Sequence, residues 1–188
     1  MAIRARRPTP QELARLLEQC RTDSLTYAPS GGSLGGVAPA HLRPQRWTTT
    51  VTGSDAYARA VTALHDWAVH RASGLDVLTD GPITVGTNVA LSAPLPIGFV
   101  DATCRIVAVI DEPDRFGFAY GTLSVHPEQG EESFVVTRRD DGSVEFAVHA
   151  VSRPAHPLAR LVPAVAHRLQ AAAVKRYLDA MRRAVEVG

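Results

Sequence analysis

Five β-branched runs bounded by turns follow one another between Pro82 and Val151, and a single long helical period comes after them. The runs are Ile83 to Leu91, Ala102 to Ile110, Arg115 to Leu123, Ser133 to Arg138 and Val144 to Val151. Val, Ile, Phe and Tyr between Gly, Pro and Asp clusters suit the pleated surface of a strand. Asp140-Asp141-Gly142 is a hairpin turn, and Glu112-Pro113-Asp114 supplies a second. Strands with such short links pair antiparallel, because a parallel pair needs a crossover of a dozen residues or more. Trp47 to Val51, with Trp47, Thr49 and Val51 alternating against threonines, adds a sixth strand.

The C-terminal period places Leu158, Leu161, Val162, Val165, Leu169, Ala172, Ala173, Tyr177 and Met181 on one face, with Arg and Lys opposite. Pro163 has no backbone donor, so the long helix starts there or bends after a short preceding turn. Thr9-Pro10-Gln11-Glu12 opens a helix to about Cys20, with a capping hydroxyl, a first-turn proline and an early carboxylate. A further helix begins at Ser54 or Asp55, carries Tyr57, Ala60, Val61, Leu64, Trp67 and Ala68 at helical spacing, and ends at Gly74. Ser24 to Pro44 holds Gly31-Gly32 and Gly35-Gly36 with no apolar period, a long irregular segment of the kind that tends to serve function.

This order predicts an α+β fold, a curved antiparallel sheet of about six strands wrapped around the C-terminal helix. One domain is expected over 1–188, with the N-terminal helix in 1–23 and the glycine-rich segment in 24–45. A sheet that broad is not filled by one helix, so a cavity is expected between them.

The chain has 188 residues, 45% hydrophobic and 21% charged, enough to bury a core without disulfides or metal. Its formal net charge of +1 gives no reason to expect a nucleic-acid or anionic-membrane partner. The near-exclusive use of Arg, with Lys175 the one lysine, follows no patch and reads as a coding bias. Met1 to Pro10 lacks the apolar region of a secretion signal and no stretch reaches the length of a membrane span, so a soluble cytoplasmic protein, monomer or homodimer, is expected. Cys20 and Cys104 are too few and too far apart for a disulfide framework and read as reduced thiols.

No Gly-x-x-x-x-Gly-Lys-Ser/Thr loop is present, and the Gly31 to Gly36 cluster lacks its lysine. The seven histidines show no zinc spacing, so neither a metal nor a cofactor is expected. His65 and His70 are expected on the solvent side of their helix. Ser33 and Ser54 lack the elbow motif of a serine hydrolase.

The densest chemistry lies between Phe116 and Phe134. Phe116, Phe118, Tyr120 and Thr122 share one strand face, while Gly117, Ala119 and Gly121 leave the other bare. With the aromatic face toward the cavity, Tyr120 and Thr122 place hydroxyls at one end of an apolar lining, and Glu132 beside Phe134 adds a carboxylate. His126 sits in the connecting turn, where a histidine near a carboxylate can act as general acid or base. The same alternation also suits plain core, and His126 also suits a turn residue bonded to backbone.

The run Asp111 to Leu123, with His126-Pro127, Gly130-Glu131-Glu132 and Phe134, resembles the signature of uncharacterised protein family 0548. Leu25-Thr26-Tyr27, Arg71 to Leu75, Val85-Gly86-Thr87, Cys104 to Val107 and Ser152-Arg153-Pro154 match as well. The chain departs at Ser124-Val125, where the family pattern has Pro-Gly. The resemblance implies the START-like, birch-pollen-allergen-like helix-grip fold, which holds hydrophobic ligands between sheet and C-terminal helix. Three functions stay open. The first is binding of a small hydrophobic or aromatic metabolite by Tyr27, Trp67, Phe118, Tyr120, Thr122, Glu132 and Phe134, with the segment around Tyr27 as lid. The second is a cofactor-free cyclase, isomerase or lyase of secondary metabolism, with Tyr120, His126 and Glu132 catalytic. The third is a ligand-free interaction module.

Overall fold

The computed structural model describes residues 2–155 and 163–186. The expected apolar positions Leu158, Leu161 and Val162, and the side chains of Val165 and Leu169, lie outside what is described. Eight strands form one antiparallel sheet: β1 (Ala2–Arg4), β2 (Arg43–Val51), β3 (Asp76–Thr79), β4 (Asn88–Pro94), β5 (Phe99–Glu112), β6 (Arg115–Thr122), β7 (Glu128–Arg138) and β8 (Val144–Pro154). The helices are α1 (Pro10–Gln19), α2 (Ala56–His65), α3 (Ala68–Ala72) and α4 (Pro163–Glu186), with a 3₁₀ turn at Gly32–Leu34. The strand order is β2-β8-β7-β6-β5-β4-β3, and β1 pairs with β5. The six strands from β3 to β8 are thus a meander, and β2 closes the far edge beside β8.

The sheet has two strands more than periodicity alone predicts. β1 and β3, of three and four residues, are too short to show a period. The run expected from Ile83 begins as strand only at Asn88, because Thr87 Oγ1 donates to the Pro82 carbonyl (2.8 Å) and closes a turn. β7 begins at Glu128 rather than Ser133, its first half masked in sequence by Gly130 and three glutamates. At the N-terminus, Thr9 and Glu12 form a reciprocal capping box, and the helix buries Leu13, Leu16 and Leu17.

The two faces of the sheet are covered differently. α2, α3 and α4 pack on the inner, concave face, where Phe118, Tyr120, Phe134, Phe146 and Val148 meet Val174, Tyr177, Met181 and Val185 of α4. On the outer face, α1 packs over Ala90 and Leu123, and the segment from Leu25 to Leu42 packs over Val151. Gly121 makes that cover possible. A methyl group there would stand 2.8 Å from Tyr27 Cε1 and 2.9 Å from Leu25 Cδ2.

The helix expected from Asp55 to Gly74 is two helices. Trp67 takes a left-handed conformation (φ 55°) between them, a conformation rare for a bulky residue. The break reorients α3 and carries His70 into the core. His65 is exposed, whereas His70 is completely buried, so the solvent-side expectation holds for the first and is corrected for the second. Cys20 and Cys104 are both buried free thiols. Among the described residues no helix is long and apolar enough to cross a membrane.

Candidate functional site

The inner face changes character along β7. From Val136 to Phe134 it is filled by large apolar side chains; from Glu132 to Glu128 it carries carboxyls and glycine. Register extends the change to both neighbours. Phe134 lies opposite Phe118 and Val148, whereas Glu132 lies opposite Tyr120 and Ala150, and Gly130 opposite Ser152. Cys104 and Ala102 continue the small-residue end on β5. Small side chains under a helix leave room that large ones would fill. Glu128 and Glu132 are accordingly half-buried, while the rings beside them are buried.

The aromatic wall is continuous. His70 lies 4.5 Å from Phe134, 4.8 Å from Trp67, 5.1 Å from Tyr177 and 6.1 Å from Tyr120, centroid to centroid. Trp67 also meets Phe118 at 5.0 Å, and Phe134 meets Tyr177 at 5.2 Å. These are favourable ring separations. Trp67, Phe118, Tyr120, Glu132 and Phe134, named from sequence, therefore gather in one place.

The polar groups form a chain. The Tyr120 hydroxyl donates to Glu132 Oε2 (3.0 Å), and the Tyr177 phenol lies close to both. Glu128 faces the Ser152 hydroxyl, and Gln170 of α4 donates to Ser152 Oγ (3.3 Å) while accepting from Gln45 (3.0 Å). Burial pushes the Glu132 carboxyl up to about 7, against the Tyr120 hydrogen bond, which lowers it, and with the charge of Glu128, which raises it further. Burial likewise pushes Glu128 up to about 7. It raises the Tyr120 and Tyr177 phenols and the Cys104 thiol, and holds His70 down at about 3, a neutral imidazole.

Three residues named from sequence stand apart from this cluster. Tyr27 lies on the outer face against Gly121 and donates to Glu131 Oε2 (2.7 Å), so the segment around it straps the back of the sheet instead of covering the inner site. The Thr122 hydroxyl is engaged by Thr26 Oγ1 (2.5 Å) and by the Gly130 amide (3.0 Å). His126 accepts the Glu128 amide on Nδ1 (2.9 Å), which fixes its turn, and burial lowers its pKa to about 4. Sequence reasoning missed His70, Tyr177 and Glu128. Tyr177 falls on the apolar face of the C-terminal period, but His70 depends on the break at Trp67, which carries no local signal.

A domain of unknown function, DUF1990, matches residues 26–180. A Deinococcus radiodurans protein of family 0548 is 32% identical over 95% of this chain and 96% of its own length. The chain belongs to this family. A Dictyostelium discoideum member is 31% identical over 58% of this chain and 57% of its own length. Among solved structures, a Thermus thermophilus protein superposes with a TM-score of 0.57 at 12% identity, covering 77% of this chain and 98% of that one. Ara h 8.0201 superposes with a TM-score of 0.55 at 15% identity, covering 78% and 99%. The family 0548 chain thus has the helix-grip fold. Among the described residues, no group of His, Cys, Asp and Glu is placed to hold a metal ion.

Proposed function

We propose that this family 0548 protein binds a small, largely apolar molecule between the Glu128 to Glu132 half of β7 and helix α4. The observation that carries the reading is Glu132, a half-buried carboxyl turned among aromatic rings, with Tyr120 as its one hydrogen-bond donor among the described residues. A carboxyl in such surroundings costs stability unless it is used. The apolar wall of Trp67, Phe118 and Phe134 with a few convergent polar groups is the usual make-up of a small-molecule site. Native mass spectrometry of freshly purified protein tests this. A co-purified small molecule is expected, at lower occupancy in Glu132→Gln; its retention at unchanged occupancy in that variant would remove Glu132 from the site.

A second reading, proton transfer on the bound molecule by a cofactor-free cyclase, isomerase or lyase, is favoured by one feature. A carboxyl near neutrality bonded to one tyrosine with a second close by is suited to giving and taking protons. On this reading the double variant Tyr120→Phe, Glu132→Gln loses turnover while still binding; unchanged turnover would sink it.

A further inference from the structure

The carboxylates that are buried elsewhere in the chain are well supplied with donors. Asp101 accepts from Arg4 and from Ser92 (3.0 Å), and Glu131 accepts from Tyr27 and from the amides of Gly31 and Ser33. Glu128 and Glu132 are not. Among the described residues Glu132 has a single neutral hydroxyl donor, Glu128 faces only the Ser152 hydroxyl, and neither takes part in any ion pair. His70 adds an independent sign of an absent partner. Of the four buried side-chain polar atoms without a hydrogen bond among the described residues, two are its ring nitrogens, and the ring is 0% exposed. It lies against Tyr177 and against Tyr120, which donates to Glu132.

Counted as hydrogen-bonding capacity, this end of the site has an excess of acceptors. With both carboxyls ionised, two carboxylates, two phenol oxygens, one serine oxygen and one imidazole nitrogen accept, against two phenol protons, one serine proton and one imidazole N–H. An ammonium group brings three donors and a positive charge that aromatic faces also attract. An alcohol brings one donor, and a carboxylate is repelled. We infer that the site takes an apolar molecule bearing a protonated amine, with the ammonium held by Glu132 and His70 and with Glu128 at the rim. The inference rests on the small-molecule reading above and specifies its ligand.

Among the described residues, the titratable groups facing Glu132 are Tyr120 from β6, Cys104 from β5, Glu128 from β7 and Tyr177 from α4, with His70 from α3 behind the two phenols. β8 faces it with Ala150. The phenols and the thiol are raised and the imidazole lowered, so the two carboxyls are the groups that change charge near neutrality. A bound cation favours their ionised form. Binding therefore releases a proton below about pH 7, and affinity falls as pH falls.

Three probes of one shape decide the matter: tryptamine, tryptophol and indole-3-propionate, titrated by calorimetry in two buffers of different ionisation heat. At pH 7.5 tryptamine is expected to bind at least about tenfold tighter than tryptophol, the order of one charge-assisted hydrogen bond, and indole-3-propionate weakest. Between pH 7 and 5.5 tryptamine weakens by up to about tenfold per unit for each proton released, while tryptophol does not change. Glu132→Gln, shown by its melt to be folded, brings tryptamine to the level of tryptophol; His70→Asn weakens it less. Tryptophol binding as tightly as tryptamine to wild-type protein would overturn the amine inference and leave the small-molecule reading standing. Binding of none of the three overturns the inference, and if no molecule co-purifies either, the reading falls with it.

Discussion

Glu131 and Glu132 are adjacent in sequence and opposite in circumstance, because successive side chains of a strand point to opposite faces. Glu131 holds Tyr27, Gly31 and Ser33 to the back of the sheet. Glu131→Ala strands those donors and is expected to cost about 3–5 kcal/mol in a denaturant melt. Glu132 acts in the other direction. Its folded pKa of about 7 lies above the ordinary 4.5, so the folded state keeps a proton that the unfolded state has lost between those values. Stability contributed by this group is whole below about pH 4.5 and declines as pH rises to about 7. Glu132→Gln, which still accepts from Tyr120, is expected to flatten that decline by about one proton and to exceed wild type in stability above pH 7.

At the level of elements, the break between α2 and α3 shapes the inner face of the sheet and the strap from Leu25 to Leu42 covers its outer face. Trp67 in its left-handed conformation brings His70 under the aromatic wall. The strap lies on Gly121, so Gly121→Ala is expected to destabilise by about 1–3 kcal/mol through overpacking. Limited proteolysis should then cut between Leu25 and Leu42 faster than in wild type. α4 closes the opposite side. Met181 on its buried face is 0% exposed, and Met181→Ala is expected to cost about 2–5 kcal/mol by opening a cavity, read as a lower denaturant midpoint with an unchanged slope.

For the whole molecule, a ligand that binds only the folded chain stabilises it by mass action. At a hundred times its dissociation constant the gain is about 2.7 kcal/mol, which for a chain of this size raises the melting temperature by roughly 5–10 °C. Tryptamine at that excess should produce such a shift at pH 7.5 and a smaller one at pH 5.5. The fold behind this response was largely legible. Five turn-bounded strands and a helical period from Pro163 appear in the structure as β4 to β8 of the meander and as α4. About half of the site was legible too, because Phe118, Tyr120, Glu132 and Phe134 lie on paired strands whose alternation shows in sequence. The misplaced part was non-local. Nothing within a few residues of Tyr27 shows that Gly121 on β6 will receive its ring.

What the sequence determined by itself is the set of local choices: alternation for the strands, the capping box at Thr9, the hairpin at Gly142 and the apolar stripe of α4. These depend on neighbours within one turn or one pleat. Only the tertiary structure decided which carboxyl is partnered and which is not. Glu131 and Glu132 have the same side chain at adjacent positions, and their difference comes from what is packed on each face: a strap of amides and a phenol on one, aromatic rings and small residues on the other. Desolvation and hydrogen bonding act through space, so the chemistry of the site was settled where the chain folds back on itself.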